Sequence, residues 1–530
     1  MAHGVHHGYE RFASGIESLI QSLERRYTPL GKFRPGPFEG WRFLRQPAWL
    51  GFVGMCLIVA GGCFPESPFK VNIAGTWFFG EPANAPYQAP SQTQLLLAIV
   101  LTYGGLVLLM RVWLRLAQIV HNHVGAPLRT LWRIFVLWSV PMIVAPPLFS
   151  RDVFSYAAQG EMTAHGLSPY LYGPFTLGAG PYVTPVDPLW GNAPAPYGPF
   201  FLYIDGLVDR LAQHNALATV VGLRLVAFAA MCLIGYAVVL LAKAMRRDAS
   251  EAFALAVLNP MLIIELVNGS HNDVIMTAFL VLSIALALRR RLWWAVVFCA
   301  CAASIKAPAI IGLAFIAWNW AGPGAPVRER VRPIAITAGM SAAVLGVWTY
   351  LAGFGFGWVG DLFSNGAVRS WAAPATGIGM ALQLGLRHMG LETNLTHDLT
   401  ISRGIGLGIA LVFAAVMFVT GERRGWVRSL ALALLLVVLL GPVVQPWYLS
   451  WSLVLLAATY EGREYFWLLF LTMIGPVIGL PGGRTLLAGL SQANPLLIAV
   501  AVAVLGGVLL LPMGRWTQWS WPEEKVGLEV

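Results

Sequence analysis

Apolar stretches of about 17 to 25 residues recur from Pro47 to Pro512, separated by short polar connectors that are mostly basic. The runs are continuous rather than alternating, so they predict membrane-crossing helices, which satisfy their own backbone in hydrocarbon, and not barrel strands. The predicted spans cover about 48–64, 93–112, 130–149, 216–243, 251–267, 273–289, 291–304, 306–320, 331–352, 401–421, 427–443, 446–460, 464–480 and 492–513. Both chain ends then lie on one side. The short pieces 291–304 and 306–320 count as two spans; one kinked helix there would invert every later segment. Ahead of the first span, Phe12, Ile16, Leu19, Ile20 and Leu23 recur at helical spacing beside Arg25, Arg26, Lys32, Arg34, Arg42 and Arg45. That pattern predicts an interfacial helix on an anionic inner leaflet, and with it a cytoplasmic segment 1–46.

Composition agrees: 57% hydrophobic and 11% charged residues leave more apolar surface than a soluble core of 530 residues could hide. A net charge of +10 raises the question of nucleic acid, but the Lys and Arg residues cluster beside the apolar runs. The clusters Arg111 to Arg133, Lys243 to Arg247, Arg289 to Arg291, Arg328 to Arg332, Arg423 to Arg428 and Arg463 all fall on one side of the predicted bundle. The positive-inside rule explains them, with the membrane as partner and no nucleic acid. The five cysteines lie inside apolar runs without metal-ligand spacing and read as packing residues. The polar start with His3, His6 and His7 has no early apolar region of the kind a cleaved signal peptide needs.

The face opposite the basic loops carries two long segments, 150–215 and 353–400, and the first is too rich in Tyr, Trp and Phe to be disordered. Asp152 follows Arg151 at the outer end of the third span, where a carboxylate is costly unless solvated or paired. Position alone leaves helix capping, pairing with Arg151 and catalysis all open. Downstream come Gly166-Leu-Ser-Pro-Tyr170, Gly173-Pro174, Pro181-Tyr182, Asp187-Pro-Leu-Trp190 and Pro194-Ala-Pro-Tyr-Gly-Pro199, which includes Tyr197. Fixed prolines and flat aromatic faces suit a shallow sugar groove, although an interfacial aromatic belt uses the same residues. A second cluster, Asn268-Gly-Ser-His-Asn-Asp273, offers His271, Asn272 and Asp273 as substrate contacts or helix caps. Lys306, between two short apolar helices, needs an anionic partner such as a lipid phosphate. Arg369, near Trp371, Asp361 and Asn365, is a candidate for completing a phosphate clamp, and Gln445-Pro-Trp447 closes a further outer turn. Walker A, HExxH, dinucleotide and Asp-x-Asp motifs are absent, which argues against an ATP-driven pump or a nucleotide-sugar enzyme.

Phe149-Ser-Arg-Asp-Val-Phe-Ser-Tyr-Ala-Ala-Gln-Gly160, Gly166–Tyr170, Ala195-Pro-Tyr-Gly-Pro199, His271-Asn-Asp273, Lys306 and Pro446-Trp-Tyr448 together resemble the polyprenol-phosphomannose-dependent α-1,6-mannosyltransferases of the actinobacterial cell envelope. These are membrane glycosyltransferases of the GT-C class. The resemblance implies an all-α polytopic bundle of about 13–14 spans, with a long outer loop after the third. Its parts would be the N-terminal segment 1–46, two additional spans in 47–127, a catalytic core in 128–400 containing loop 150–215, and a C-terminal bundle in 401–530. It further implies inverting transfer of mannose from polyprenyl phosphomannose to a lipid-linked mannan acceptor, as in lipomannan and lipoarabinomannan assembly, in the plasma membrane with an extracytoplasmic site. Asp152 would be the general base, and Lys306 with Arg369 would bind the donor phosphate. Arg151, Glu161, Tyr170, Trp190, Tyr197, His271, Asn272, Asp273, Gln445 and Trp447 would contact substrate. No cofactor is expected, a divalent cation stays open, and the oligomeric state is a monomer or unknown. The competing reading is a flippase for a polyprenyl-linked sugar, which would need a polar path across the bilayer; Arg224 and Glu265 are the residues that path would use.

Overall fold

The computed structural model describes residues 47–63, 77, 92–122, 127–361, 369, 371, 373–391, 394–480 and 484–485. The interfacial helix expected in 1–46 and the span expected at 492–513 lie outside the described residues. Every other expected span is helical. The helices are α1 (Pro47–Cys63), α2 (Gln92–Asn122), α3 (Leu128–Val144), α4 (Asp152–Ala164), α5 (Pro199–Leu211), α6 (Ala216–Ala244), α7 (Ala249–Ala256) and α8 (Pro260–Asn268). They continue with α9 (Asp273–Leu288), α10 (Leu292–Ala303), α11 (Ala307–Asn319), α12 (Val327–Ala352), α13 (Pro374–His388), α14 (Leu395–Arg424), α15 (Trp426–Leu440), α16 (Ser450–Leu456) and α17 (Glu464–Ile478). A two-residue antiparallel pair, Gly479–Leu480 with Arg484–Thr485, is the sole strand structure among the described residues.

Span lengths vary more than the sequence pattern suggested. Among the described residues four helices are long and apolar enough to cross a membrane: Val100–His121 within α2, α6, α12 and α14. A fifth span is broken, because α7 and α8 meet at 49° around Asn259-Pro260. Proline has no N–H to continue the ladder, and the Asn259 side chain accepts from Leu262 N–H instead. Helices α1, α9, α10, α11 and α15 are shorter apolar rods. The pieces α10 and α11 remain two helices, joined by the extended residue Lys306. Segment 353–400, read as an outer loop, contains the full helix α13 and the first turn and a half of α14.

The packing explains how a 57% hydrophobic chain distributes its residues. Ile401, Ile405, Ile409, Val412, Val416 and Val419 form an exposed apolar stripe along α14 at spacings of three and four, suited to lipid tails. By contrast α9 is buried along nearly its whole length between α6 and α10, so its first residue, Asp273, lies in the interior. In the 150–215 segment α4 and α5 pair closely: a Cβ at Gly160 would meet the Asp205 carbonyl oxygen at 2.7 Å. The segment that follows Arg151 is therefore helical, as α4, and it docks on the bundle through α5 and α6.

Candidate active site

The chain reaches Asp152 through residues 143–148, whose backbone is held by two buried polar side chains. Asn268, the last residue of the π-helical turn Ile263–Asn268, donates to the carbonyls of Met142 (3.1 Å) and Pro146 (2.9 Å) and accepts from Leu148 N–H (2.8 Å). Arg224 of α6 donates to the carbonyls of Ile143 (3.1 Å), Ala145 and Asn268 (3.0 Å). Each buried backbone group left unpaired costs about 1–3 kcal/mol, so Asn268→Ala is expected to destabilise the protein by about 2–4 kcal/mol. The check is an earlier unfolding midpoint on SDS titration; an unchanged midpoint would mean that water replaces the three bonds. Of the two residues that a polar path across the bilayer would have used, Arg224 is thus built into this support. Arg224 is spent on carbonyls, and Glu265, fully buried, lies 4.0 Å from His271 Nε2.

Asp152 opens α4, and its backbone N–H donates to Ser150 Oγ at 3.1 Å. The carboxylate neither caps the helix nor pairs with Arg151. Its Oδ2 lies 3.4 Å from His271 Nδ1, and the His271 ring stacks on Trp447 with centroids 3.6 Å apart. His271 follows Ser270, a residue in the left-handed region at φ 54°, a conformation that costs energy outside glycine and often marks a functional turn. Asn272 precedes α9 without a side-chain cap bond, and its buried amide has no hydrogen-bond partner among the described residues.

Lys306 has its anionic partner within the chain. Its Nζ donates to both oxygens of Asp273, at 2.9 and 2.8 Å, and Trp451 Nε1 donates to Asp273 Oδ1 at 2.7 Å. The ammonium also lies 4.4 Å from the Tyr448 ring centroid and 5.9 Å from that of Tyr197. Tyr197 is held there because its loop docks on the break between α10 and α11. Gly198 N–H donates to the Ile305 carbonyl at 2.9 Å and Phe200 N–H to the Ser304 carbonyl at 3.0 Å. Only glycine fits at 198, since a Cβ would stand 2.2 Å from the Ser304 oxygen.

Beside these groups, α4 and the loop that leads into α5 form an open recess lined by Asp152, Ser155 and Gln159 of α4 and by Trp190, Ala193, Pro194, Pro196 and Tyr197. Ser155 Oγ and Gln159 Oε1 are buried there without hydrogen-bond partners among the described residues. Behind them Tyr156 meets Tyr197 edge to face at 5.4 Å, and burial pushes its hydroxyl well above the usual tyrosine range, so it remains a donor. Unpaired acceptors and a hydroxyl between proline and aromatic walls are what a polyhydroxylated ligand requires.

Other candidate residues fall elsewhere. Tyr170 is packed with Ala195, Leu202 and Trp358 in a buried cluster and supports the loop rather than lining the recess. Glu161, nine positions after Asp152 and at 100° per residue on the opposite side of α4, contacts His165 and His214. Arg369 is exposed and does not line the recess. Gln445 is half-buried at the start of the turn Pro446–Leu449 that carries Trp447. Ser155, Gln159 and Tyr448 lie inside the motifs that carry the resemblance, yet neither they nor Trp451 were named as site residues, although Ser155 and Gln159 follow Asp152 at helical spacings of three and seven.

A family model described as "Alpha-(1->6)-mannopyranosyltransferase, N-terminal domain" matches residues 48–322, and a second, "MptB C-terminal domain", matches 375–512. A probable alpha-(1->6)-mannopyranosyltransferase of Mycolicibacterium smegmatis is 33% identical over 78% of this chain and 80% of its own length. Alpha-(1->6)-mannopyranosyltransferase A of Mycobacterium tuberculosis is 30% identical over 85% of this chain and 86% of its own. Alpha-(1->6)-mannopyranosyltransferase B of Corynebacterium glutamicum is 28% identical over 80% and 75%. No solved structure matches. The all-helical bundle with its outer-loop recess is consistent with the GT-C fold that the motifs implied.

Proposed function

The chain belongs to the alpha-(1->6)-mannopyranosyltransferase family, and from that membership we propose that it transfers mannose from polyprenyl phosphomannose to the primary hydroxyl of a lipid-linked α-1,6-mannan. The observation that carries this reading is the recess itself, in which the Asp152 carboxylate shares a wall with the unpaired Ser155 and Gln159. Asp152 takes the proton of the acceptor hydroxyl as its oxygen bonds to the anomeric carbon. The bond from that carbon to phosphate oxygen breaks, its electron pair leaves with the polyprenyl phosphate, and a β-linked donor gives an α product. Phosphate is already a good leaving group, so positioning and charge stabilisation suffice and no protein nucleophile is needed.

The donor phosphate would lie beside the Lys306–Asp273 pair, where Lys306 shifts toward it as charge develops. Arg151, half-buried and without an ion-pair partner among the described residues, is the second cation within one residue of the base. Arg369 is a contact for a longer ligand rather than part of the inner clamp. The site would face the extracytoplasmic side of the plasma membrane, the product entering lipomannan and lipoarabinomannan. Chain parts would follow as an N-terminal segment 1–46, two added spans in 47–127, the catalytic core 128–400 and the C-terminal bundle 401–530.

Detergent-purified protein given radiolabelled polyprenyl phosphomannose and a synthetic α-1,6-dimannoside is expected to form a trisaccharide sensitive to α-1,6-specific mannosidase. GDP-mannose in place of the lipid should give none. Transfer from GDP-mannose alone would overturn the donor assignment, and a product of another linkage would overturn the acceptor geometry.

A further inference from the structure

A second cluster of ionisable side chains sits where α4 ends and α5 leads into α6, on the side of α4 away from the recess. Glu161 and His165 are one helical turn apart, and His165 Nδ1 donates to the Glu161 carbonyl at 3.0 Å, which leaves Nε2 as a free lone pair. His214 comes from the turn after α5, where Gln213 and His214 both adopt left-handed φ values, 53° and 58°. Two such residues in succession cost on the order of 1–3 kcal/mol each. The result is that His214 Nδ1 stands 2.8 Å from Glu161 Oε2 and 2.9 Å from Asp209 Oδ2.

Asp209 is the second, independent observation. It is fully buried; Tyr182 hydroxyl (2.5 Å) and Thr219 hydroxyl (2.9 Å) both donate to its Oδ1, while Oδ2 makes no hydrogen bond and points into the cluster. One oxygen held by two donors fixes the carboxylate, and the other faces His214 Nδ1 at 2.9 Å, a contact that a bound ion would replace. A Glu161 oxygen and one nitrogen each from His165 and His214 lie within 4.8 Å of one another. Tetrahedral ligands at about 2.0–2.2 Å from an ion stand roughly 3.3–3.6 Å apart, so small side-chain rotations close the set.

We propose that Glu161, His165 and His214, backed by Asp209, bind one divalent transition ion of the zinc type. Two imidazoles with carboxylates suit such an ion, whereas magnesium and calcium favour all-oxygen shells. The site is a clip: it ties the end of α4 to the end of α5, whose bodies already touch at Gly160, and so fixes the helix that begins with Asp152. It lies about 13 Å of helix rise from Asp152, too far to touch the reacting atoms.

The test uses the full chain in detergent, stripped with EDTA and titrated with zinc chloride alone, by calorimetry and by thermal unfolding. Wild type is expected to bind one ion at this site and unfold at higher temperature. His165→Asn and His214→Asn are expected to weaken that binding at least about tenfold and to abolish the thermal shift. His3, His6 and His7 offer further imidazoles, so the reading is the difference between wild type and variants. His165 is more than half exposed, so its replacement leaves folding intact. Zinc binding and thermal shift unchanged in both variants would overturn the proposal, as would a magnesium titration that stabilises wild type equally.

Discussion

Asp152→Asn is expected to lower kcat about 100- to 10,000-fold, the contribution of a positioned general base, with little change in KM for the donor. Asparagine keeps the size and shape of the side chain at the first position of α4 and removes only its capacity to take a proton. The carboxylate bonds neither helix N–H groups nor Arg151; its nearest side-chain partner is the His271 ring, at 3.4 Å. Loss of the favourable charge at a helix start costs only about 0.3–1 kcal/mol. The variant should therefore elute, bind donor lipid and unfold like wild type. Transfer rates within a few-fold of wild type would remove Asp152 as the base and leave it as a residue that merely suits the helix dipole. A rate lost together with the fold would say nothing of catalysis, so the unfolding midpoint is measured on the same preparation.

The sequence pattern and the structure agree on the order of helices because lipid imposes one rule on every span: the backbone must satisfy itself. The break at Lys306 was legible for the same reason, since a cation between two short apolar helices has few places to go. Its partner was not legible. Asp273 lies 33 positions away at the start of a buried helix, and hydrophobicity does not say which buried ends meet. The sequence offered a lipid phosphate as the anion, and the chain adds a carboxylate of its own beside the same cation. Glu161 was named as a substrate contact through the resemblance, and nine residues of α-helix turn it to the side of α4 away from Asp152. Tyr170 looked like a sugar platform and instead closes a cluster under the loop. Arg224 and Glu265 read as stepping stones across a bilayer because composition reports that a charge is buried and not what it bonds.

Lys306→Met is expected to cost about 3–5 kcal/mol of stability, because Asp273 would remain buried with Trp451 as its sole donor and no counter-charge. Adding Asp273→Asn to that variant removes the stranded charge and should restore most of the midpoint on SDS titration. The pair thus separates two roles that a single substitution confounds. If Lys306 does no more than neutralise Asp273, the double variant regains activity along with stability. The expected result differs: stability returns while transfer stays at least about 100-fold below wild type, the scale of removing one preorganised group from a developing anion. That outcome follows from geometry, since Lys306 keeps its Nζ over the Tyr448 ring at 4.4 Å and 5.9 Å from the ring of Tyr197, a residue of the recess wall, with 13% of its side chain exposed. Only a cation placed there can meet both Asp273 at rest and a departing phosphate during transfer.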